Sequence, residues 1–306
     1  MKAGKASATA RVIAAATVMC AHDATTSDLV APGAARWCEE FLSTSKADRW
    51  LQASGKSAAC RGAWRLLERS THPGIVRHWM MRKRWIELRV RAAIAGGASQ
   101  LVVLGAGFDT LGVRLAAERP DFRVVEIDHP ATLAVKRSVV ERIRGCSGPV
   151  MAESDFARND ENQSVLPPGA IDRGRRTVFV AEGLLMYLPE ARVRSLLGEL
   201  ATATEQASQL VFSFMVERES GEIGFEPRSA MVSFWLAMKG EPFRWSLNSA
   251  RAVAFAQELG WEVTARADAV VLSGLVGSAG EDRVIARGEE VIEAITIDSS
   301  GISAEG

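Results

Sequence analysis

The chain has 306 residues and carries 37 basic and 37 acidic side chains, so its formal net charge at neutral pH is zero. A balanced charge disfavours nucleic acid and anionic membranes as partners, because both attract a basic excess. The length allows one large domain with an additional segment, and no apolar run approaches the ~18 residues that a membrane span requires. We therefore expect a cytoplasmic protein without membrane association, present as a monomer or a homodimer.

The cysteines and histidines form neither a disulfide pattern nor a metal-binding pattern. The four cysteines include no C-x-x-C pair, and the four histidines do not stand at ligand spacing. We expect free thiols in a reducing compartment and no metal site. The short apolar run after Arg11 has some features of a secretion signal, but its alanine content and Met19 before Cys20 favour an ordinary amphipathic helix.

Residues 1–95 follow a helical pattern. Tryptophan and leucine recur at three-to-four spacing in "AARWCEEFLSTSKADRWLQ" and "AWRLLERS". A break at Pro73-Gly74 precedes a long helix that ends at Gly96-Gly97. We predict that residues 1–95 form a helical cap, with its tryptophans in the core, that packs on a catalytic domain formed by residues 96–306.

Short apolar runs alternate with helical segments from about residue 98. The strand candidates are, in order, "QLVVLG", "FRVVEID", "PVMAES", "RRTVFVAEG", "SQLVFSFMV" and "WEVTARA", with "EDRVIAR" or "EEVIEAITI" as the seventh. Helices are predicted to begin at Pro130 and Pro189, and another to end at Gly260. This order predicts an α/β fold with a doubly wound, mostly parallel sheet that is covered on both faces.

The segment at about 217–245 interrupts this alternation. It carries a set of large apolar side chains, namely Met231, Phe234, Trp235, Met238 and Phe243. Such an insertion after the fifth strand is either a lid or wall of the substrate site or plain packing, and the sequence leaves both open.

The first strand ends in the turn "GAGFDT", which begins at Gly105. Gly105 and Gly107 allow a tight turn and a close approach of the backbone to a ligand. The dinucleotide fingerprint has a third glycine where Thr110 stands here, and the charge of Asp109 would oppose a pyrophosphate. A neutral or cationic group therefore fits this turn better, and a turn of purely structural use remains the alternative.

Acidic residues follow the second and third strands. Asp128 lies about 20 residues after Gly107, where a carboxylate can accept both hydroxyls of a ribose. The alternative for Asp128 is a helix N-cap before His129. Asp155 and Phe156 suit an adenine pocket, which needs a hydrogen-bonding group beside a flat apolar wall, although an ordinary loop aspartate is the commoner explanation.

The fourth strand ends at Glu182, where a fully apolar run meets Gly183. A carboxylate at that point is costly to desolvate without a partner, which favours a functional role over a salt bridge. Tyr187, the single tyrosine of the chain, lies five residues further on and is expected to face the same crevice. Tyr187 and His129 are the weak candidates for a general base, and no residue is assigned as catalytic.

Together these motifs resemble the leucine carboxyl methyltransferase-like family of S-adenosylmethionine-dependent O-methyltransferases, which has many bacterial members of polyketide and secondary-metabolite type. The segments that carry the resemblance are "MRKRWIE", "LVVLGAGFDT", "VVEIDHP", "SDF", "AEGLLMYLP", "GEPFRWSL" and "LGWEV". The resemblance implies a class I methyltransferase fold, a Rossmann-like seven-stranded sheet with the last strand antiparallel and an N-terminal helical extension. It also implies S-adenosylmethionine as cofactor, S-adenosylhomocysteine as product and a small-molecule methyl acceptor.

The resemblance further implies roles for individual residues. Arg82, or Arg84 as the near alternative, would reach the methionyl carboxylate, and Glu182 would lie near the methionyl ammonium. The other implied cofactor-binding residues are Gly105, Ala106, Gly107 and Asp109 at the turn, Asp128 and His129 at the ribose, and Asp155 and Phe156 at the adenine.

The chain departs from the family pattern at two places. Members that methylate a peptide α-carboxylate tend to have arginine where Ala157 stands here, with Arg158 one residue late, and a cofactor-contacting lysine has no match around residues 7–9. The resemblance therefore implies an O-methyltransferase that acts on a hydroxyl or carboxylate of a small molecule. An NAD(P)-dependent oxidoreductase and a non-catalytic cofactor-binding relative remain the alternatives.

Overall fold

The computed structural model of this protein is built around one mixed β-sheet of seven strands. The structure describes residues 6–143, 148–157, 164–218, 221–227, 229–275 and 284–297. The strands are β1 Gln100–Leu104, β2 Arg123–Asp128, β3 Val150–Glu153, β4 Thr177–Ala181, β5 Gln209–Met215, β6 Trp261–Ala267 and β7 Glu289–Thr296. The described helices are α1 Ala8–Ala21, α2 Ala34–Phe41, α3 Lys46–Lys56, α4 Ala58–Thr71, α5 Ile75–Ala95, α6 Leu111–Glu118, α7 Pro130–Arg142, α8 Glu190–Ala201, α9 Ala230–Lys239, α10 Ala252–Glu258 and α11 Ala269–Ser273.

The strand order is β3-β2-β1-β4-β5-β7-β6. The pairs β1–β2, β1–β4, β2–β3 and β4–β5 are parallel, whereas β7 runs antiparallel to both β5 and β6. The predicted class I methyltransferase fold is thereby confirmed. The seventh strand is "EEVIEAITI"; of its rival "EDRVIAR", residues 281–283 lie outside the described residues. The strand order reverses between β1 and β4, the place where doubly wound sheets bind their ligands.

Both faces of the sheet are buried because successive side chains of each strand point to opposite sides. Leu101 and Val103 belong to one core with Trp85 of α5. Val102 and Leu104 belong to the opposite core, which also contains Leu196, Leu197 and Leu200 of α8. Helix α5 is therefore a covering layer of the sheet itself, although it falls within the part of the chain expected to form the cap.

Helices α2, α3 and α4 differ in how far their side chains are buried. Trp37 of α2 is 8% exposed and packs near Phe41, but Trp50 of α3 is 64% exposed. Helix α4 buries none of its residues, and Leu66 within it is 70% exposed. The expectation that tryptophans of this region lie in the core holds for Trp37 and Trp85 and is wrong for Trp50, because Trp50 lies on the solvent-facing side of α3.

Helix α9 lies in the apolar insertion and presents much of it to solvent. Met231, Phe234 and Met238 are 55%, 67% and 54% exposed. Phe243, which follows the helix, packs against Tyr187 with ring centroids 5.5 Å apart. Plain core packing therefore does not describe α9, while the segment that follows it reaches the site described below. Among the described residues, the helices are all too short or too polar to cross a membrane.

Candidate functional site

A cavity of about 520 Å³ opens beyond the carboxyl ends of β1, β2 and β4. All the residues named from the sequence as site candidates line it, although they come from separate parts of the chain. They are Arg82, Arg84, Gly105, Ala106, Gly107, Asp109, Asp128, His129, Asp155, Phe156, Glu182 and Tyr187. The loops that follow parallel strands lie at one edge of the sheet, so residues that follow different strands in the sequence are brought together there.

The turn after β1 forms the floor of the cavity and depends on its two glycines. Gly105 has φ 64° and Gly107 has φ 46°, a region that residues with a side chain rarely occupy. A Cβ atom at Gly105 would also lie 2.9 Å from Cδ1 of Leu184. The Gly105 amide donates to the carbonyl of Ile127 at 2.8 Å, which ties the turn to β2.

Asp128 at the end of β2 supports the same turn. Its Oδ2 accepts the Gly107 amide at 2.5 Å, and its Oδ1 accepts the amide of His129 at 2.5 Å. Burial raises the pKa of Asp128 despite these two bonds. The N-cap of α7 is His129, whose Nδ1 accepts the Ala131 amide at 3.2 Å, so Asp128 is not a helix cap. Each carboxylate oxygen retains a lone pair that can accept a further hydrogen bond.

Asp155 and Phe156 stand at the end of β3 with different exposure. Phe156 is 5% exposed and belongs to the core between the sheet and α8, while Asp155 is exposed. Asp155 accepts the Ala157 amide at 3.1 Å. Arg158, the residue one place late for the family pattern, lies outside the described residues.

Arg82 of α5 lies at the back of the cavity between two carboxylates. Its Nη1 contacts Oε1 and Oε2 of Glu289 at 2.7 and 2.5 Å, and its Nε and Nη2 donate to Oε1 of Glu182 at 3.0 and 2.8 Å. Although burial acts to raise it, the Arg82 guanidinium lowers the pKa of Glu289 to about 2. His78, one helical turn before Arg82, contacts Glu289 at 2.9 Å from the other side. Much of the Arg82 donor capacity is therefore already used within the protein.

Lys83 joins this network to the turn after β1. Its ammonium pairs with Asp109 and lies 3.2 Å from Oε2 of Glu182. Burial acts to lower the pKa of Lys83, but the two carboxylates outweigh it and raise that pKa. Although burial acts to raise it, the same ion pair lowers the pKa of Asp109 to about 2. Three carboxylates thus surround two cations at this end of the cavity.

The roof of the cavity comes from α1 and from the segment after α9. Oε2 of Glu241 accepts the hydroxyl of Thr9 at 2.6 Å and the Thr9 amide at 3.0 Å, while Oε1 accepts the Ala8 amide at 3.0 Å. Tyr187 faces this contact and packs on Phe243. Burial raises the pKa of the Tyr187 phenol above its ordinary value.

Sequence reasoning did not single out Lys83, Glu241 or Glu289. A signal was available for Lys83, since Asp109 and Glu182 each needed a cationic partner and Lys83 is the neighbour of Arg82. The sequence contains no such signal for Glu241 and Glu289, because each lies more than 200 positions from its partner in the chain. Among the described residues there is also no group of three or more acidic, histidine or cysteine side chains arranged to hold a metal ion.

Comparison with known proteins decides the family. Residues 5–201 match the family described as leucine carboxyl methyltransferase. The chain belongs to the leucine carboxyl methyltransferase family. The family is one of S-adenosylmethionine-dependent methyltransferases, and the resemblance read from the motifs is confirmed.

Similar proteins of known sequence are described as candidate S-adenosyl-L-methionine-dependent methyltransferases. A candidate S-adenosyl-L-methionine-dependent methyltransferase of Streptomyces coelicolor is 29% identical over 171 residues, which are 54% of this chain and 59% of that protein. A candidate enzyme of the same kind from a Mycobacterium species is 31% identical over 181 residues, 52% of this chain and 59% of that protein. The match thus spans less than two thirds of the length of these relatives.

Solved structures share the fold. A candidate methyltransferase of Thermobifida fusca superposes with a TM-score of 0.59 at 18% identity, covering 96% of both chains. A DUF574 family protein of Streptomyces avermitilis superposes with a TM-score of 0.56 at 16% identity, covering 85% of this chain and 95% of that one. At these identities the likeness establishes the fold and not the substrate.

Proposed function

We propose that the protein transfers a methyl group from S-adenosylmethionine to a hydroxyl or carboxylate oxygen of a small molecule in the cytoplasm. The observation that carries this proposal is the convergence of Asp128, the Gly105–Gly107 turn and the Arg82–Glu182 pair on one cavity. Each fits a different part of the cofactor, and membership of the family adds support.

The ribose and adenine fit the β2 and β3 side of the cavity. Asp128 is held by two amide bonds and can accept hydroxyl groups with its remaining lone pairs. The glycine turn allows the cofactor to lie close to the backbone. Phe156 offers an apolar wall for a base, and its burial fixes its position.

The methionyl end fits the charged side of the cavity. Asp109, Glu182 and Glu289 face Arg82 and Lys83, so the carboxylates of this cluster outnumber its arginine and lysine cations by one. An ammonium and a sulfonium complement such an excess, whereas a pyrophosphate would be repelled by it. This charge pattern favours S-adenosylmethionine over NAD(P), the cofactor of the alternative oxidoreductase reading.

The Arg82 guanidinium is the group best suited to the methionyl carboxylate. It lines the cavity, and Nη2 donates one of its two hydrogens to Glu182. One Nη2 hydrogen can thus reach a ligand while Glu182 and Glu289 hold the plane of the guanidinium.

When bound, S-adenosylmethionine supplies an activated methyl group, which the acceptor oxygen takes as the carbon–sulfur bond breaks and S-adenosylhomocysteine leaves. The protein has to align the acceptor and exclude water, and alignment can contribute on the order of 7–11 kcal/mol. A carboxylate acceptor carries no proton to lose, whereas a hydroxyl benefits from a base. The roof made by Thr9, Glu241 and Tyr187 is suited to excluding water.

Transfer itself is tested by incubating the protein with methyl-labelled S-adenosylmethionine and a small-molecule extract of the producing cell. We expect label in an organic-soluble product that is absent from reactions without protein. Retained binding of S-adenosylhomocysteine with no label transferred to any fraction would favour the second candidate, a non-catalytic cofactor-binding relative. Alkaline hydrolysis of the product separates a methyl ester from a methyl ether, and therefore a carboxylate from a hydroxyl acceptor.

A further inference from the structure

Lys136 of α7 lies beneath the turn after β1 and is completely buried. Its Nζ donates to the carbonyl of Asp109 at 2.7 Å and, over a longer 3.5 Å, to the carbonyl of Ala106. The two carbonyls belong to the turn that forms the floor of the cavity. The lysine therefore contacts this turn from the side opposite to the ligand.

Glu126 of β2 supplies the counter-charge for this lysine. Its Oε2 lies 2.8 Å from Nζ, and both side chains are shielded from solvent. Apart from Lys136, no donor among the described residues serves either oxygen of Glu126. Nζ also lies 5.6 Å from the ring centroid of Phe41. The ammonium is thus balanced by Glu126, while its hydrogens are directed to the turn carbonyls.

Space for the buried carboxylate is provided by α6. Gly112 packs so closely that a Cβ atom there would lie 2.3 Å from Oε1 of Glu126. A glycine inside a helix costs roughly 0.5–1 kcal/mol relative to alanine, so its presence here accompanies a specific packing need. The lysine–carboxylate pair occupies a site that is built for it.

The charge attraction in this pair does not explain its presence. Burial raises the pKa of Glu126 to about 7, even though Lys136 acts in the opposite direction. Asp109 and Asp128, the other charged groups that face Glu126, raise it further. Buried ion pairs in general contribute little net stability because desolvation offsets the attraction. The donors that Lys136 offers to the turn are the better explanation.

The turn needs a donor from Lys136 because its Asp109 carbonyl accepts no backbone amide of the described residues, whereas its Ala106 carbonyl already accepts the Asp109 amide at 2.8 Å. Its amides are already held, that of Gly105 by Ile127 and that of Gly107 by Asp128. Buried carbonyls that lack a partner cost free energy comparable to a lost hydrogen bond. Held from both sides, the glycine turn has one shape before any ligand arrives, and such preorganisation strengthens binding.

We propose that Lys136 is a positioning residue for the cofactor: by donating to the Asp109 carbonyl it keeps the glycine turn in the shape that receives S-adenosylmethionine. The inference rests on the proposed function for the identity of the ligand. A variant that lacks the lysine should therefore lose more cofactor affinity than a variant that is destabilised equally by a substitution elsewhere in the sheet.

The test compares three variants at the turn with one control. Lys136→Met removes the donors, Glu126→Gln removes the counter-charge, and the double variant replaces both by neutral groups of similar size. The control is Gln100→Met, which removes a side-chain hydrogen-bond network with Thr177, Arg123 and the backbone of Asp172 at the opposite end of β1. Affinity for S-adenosylhomocysteine is measured by calorimetry, and stability is measured by urea unfolding. The mobility of the turn is measured by amide hydrogen exchange, without ligand, on peptides that cover residues 105–111.

We expect the dissociation constant to rise at least tenfold in Lys136→Met and in the double variant, and less than threefold in Gln100→Met and Glu126→Gln. Exchange at residues 105–111 should be faster only where the lysine is absent. The double variant has no isolated buried charge, so it keeps the test decisive if Lys136→Met does not fold.

A double variant that binds within threefold of the natural protein, or that exchanges at the same rate in this turn, would overturn the role of Lys136. Titration of the natural protein tests the proposed function separately from the role of Lys136. If the natural protein does not bind S-adenosylhomocysteine, the proposed function fails, while the exchange rates still decide whether Lys136 holds the turn.

Discussion

The Glu241 carboxylate caps the N-terminal end of helix α1, where it binds Thr9. It accepts the Thr9 hydroxyl at 2.6 Å and the amides of Ala8 and Thr9 at 3.0 Å. A negative charge at a helix N-terminus is favourable because the free amides and the helix dipole both attract it. The contact joins the first helix to the segment after α9 across the mouth of the cavity, and both line that cavity. We infer that ligand exchange requires this contact to open.

Replacing Glu241 by alanine is therefore expected to increase the dissociation rate of S-adenosylhomocysteine by about tenfold and to lower stability by about 1.5–3 kcal/mol, the usual range for hydrogen bonds to a charged group. Stopped-flow displacement and urea unfolding measure the two effects. Ser229→Ala is the matched control, since Ser229 caps α9 without reaching α1. An unchanged dissociation rate in Glu241→Ala would exclude the contact as a barrier to ligand exchange.

Asp128→Ala should weaken S-adenosylhomocysteine binding by about 10–100-fold, which corresponds to the roughly 1.5–3 kcal/mol of a charge-assisted hydrogen bond. The reason is the loss of the group that both supports Gly107 and can accept the ribose hydroxyls. Glu153→Ala, an exposed carboxylate at the end of β3, should leave binding unchanged. Equal affinities of Asp128→Ala and Glu153→Ala in a calorimetric titration would show that the ribose assignment is wrong.

Glu289 should make stability fall in acid. Although burial acts to raise it, Arg82 lowers the pKa of Glu289 to about 2 in the folded protein, below its ordinary 4.5. The contribution of Glu289 to stability is therefore present above about pH 4.5 and is lost as the pH falls toward 2. We expect Glu289→Gln to lower the free energy of unfolding at pH 7 by about 3–5 kcal/mol, because Arg82 then lacks one partner in a buried pair. The variant should also lose less stability between pH 4.5 and pH 3.

The control for Glu289 is Glu190→Gln, the same substitution in the more exposed pair that Glu190 forms with Arg194 on α8. Such pairs contribute about 0–1 kcal/mol, so this variant should resemble the natural protein at both pH values. Urea unfolding at several pH values measures both variants. A Glu289→Gln profile parallel to that of the natural protein would contradict the lowered pKa.

Tyr187→Phe should reduce kcat by less than tenfold. Burial disfavours the phenolate by raising the pKa of Tyr187, so at neutral pH the residue is poorly suited to accept a proton from the acceptor. A general base contributes about 10²–10⁴-fold, which makes the two roles distinguishable by single-turnover kinetics with an acceptor identified from the labelled extract. A loss of 100-fold or more with intact binding of S-adenosylhomocysteine would identify Tyr187 as the base.

The positions of the strands along the chain and the residues at their ends could be predicted from the sequence because both are local signals. β-branched runs gave the strands, and the glycines, Asp128 and Glu182 followed them directly. The parallel sheet then brought these strand ends to one edge.

The partners of these residues could not be predicted, since they are set by tertiary packing. Glu289 reaches Arg82 from the last strand, and Glu241 reaches Thr9 from the end of the insertion. The local sequence likewise did not predict which helices are buried. Helix α4 has an apolar pattern yet lies at the surface, and Trp50 of α3 is also exposed. Hydrophobic spacing predicts a helix but does not predict what covers it.

Calorimetric titration of the natural protein at pH 7.5, with S-adenosylhomocysteine and separately with NAD, tests the central claim most directly. The cavity with Asp128, the glycine turn and an excess of carboxylates around Arg82 and Lys83 predicts saturable binding of one S-adenosylhomocysteine per chain and no heat from NAD. Binding of NAD, or the absence of any binding of S-adenosylhomocysteine, would contradict it.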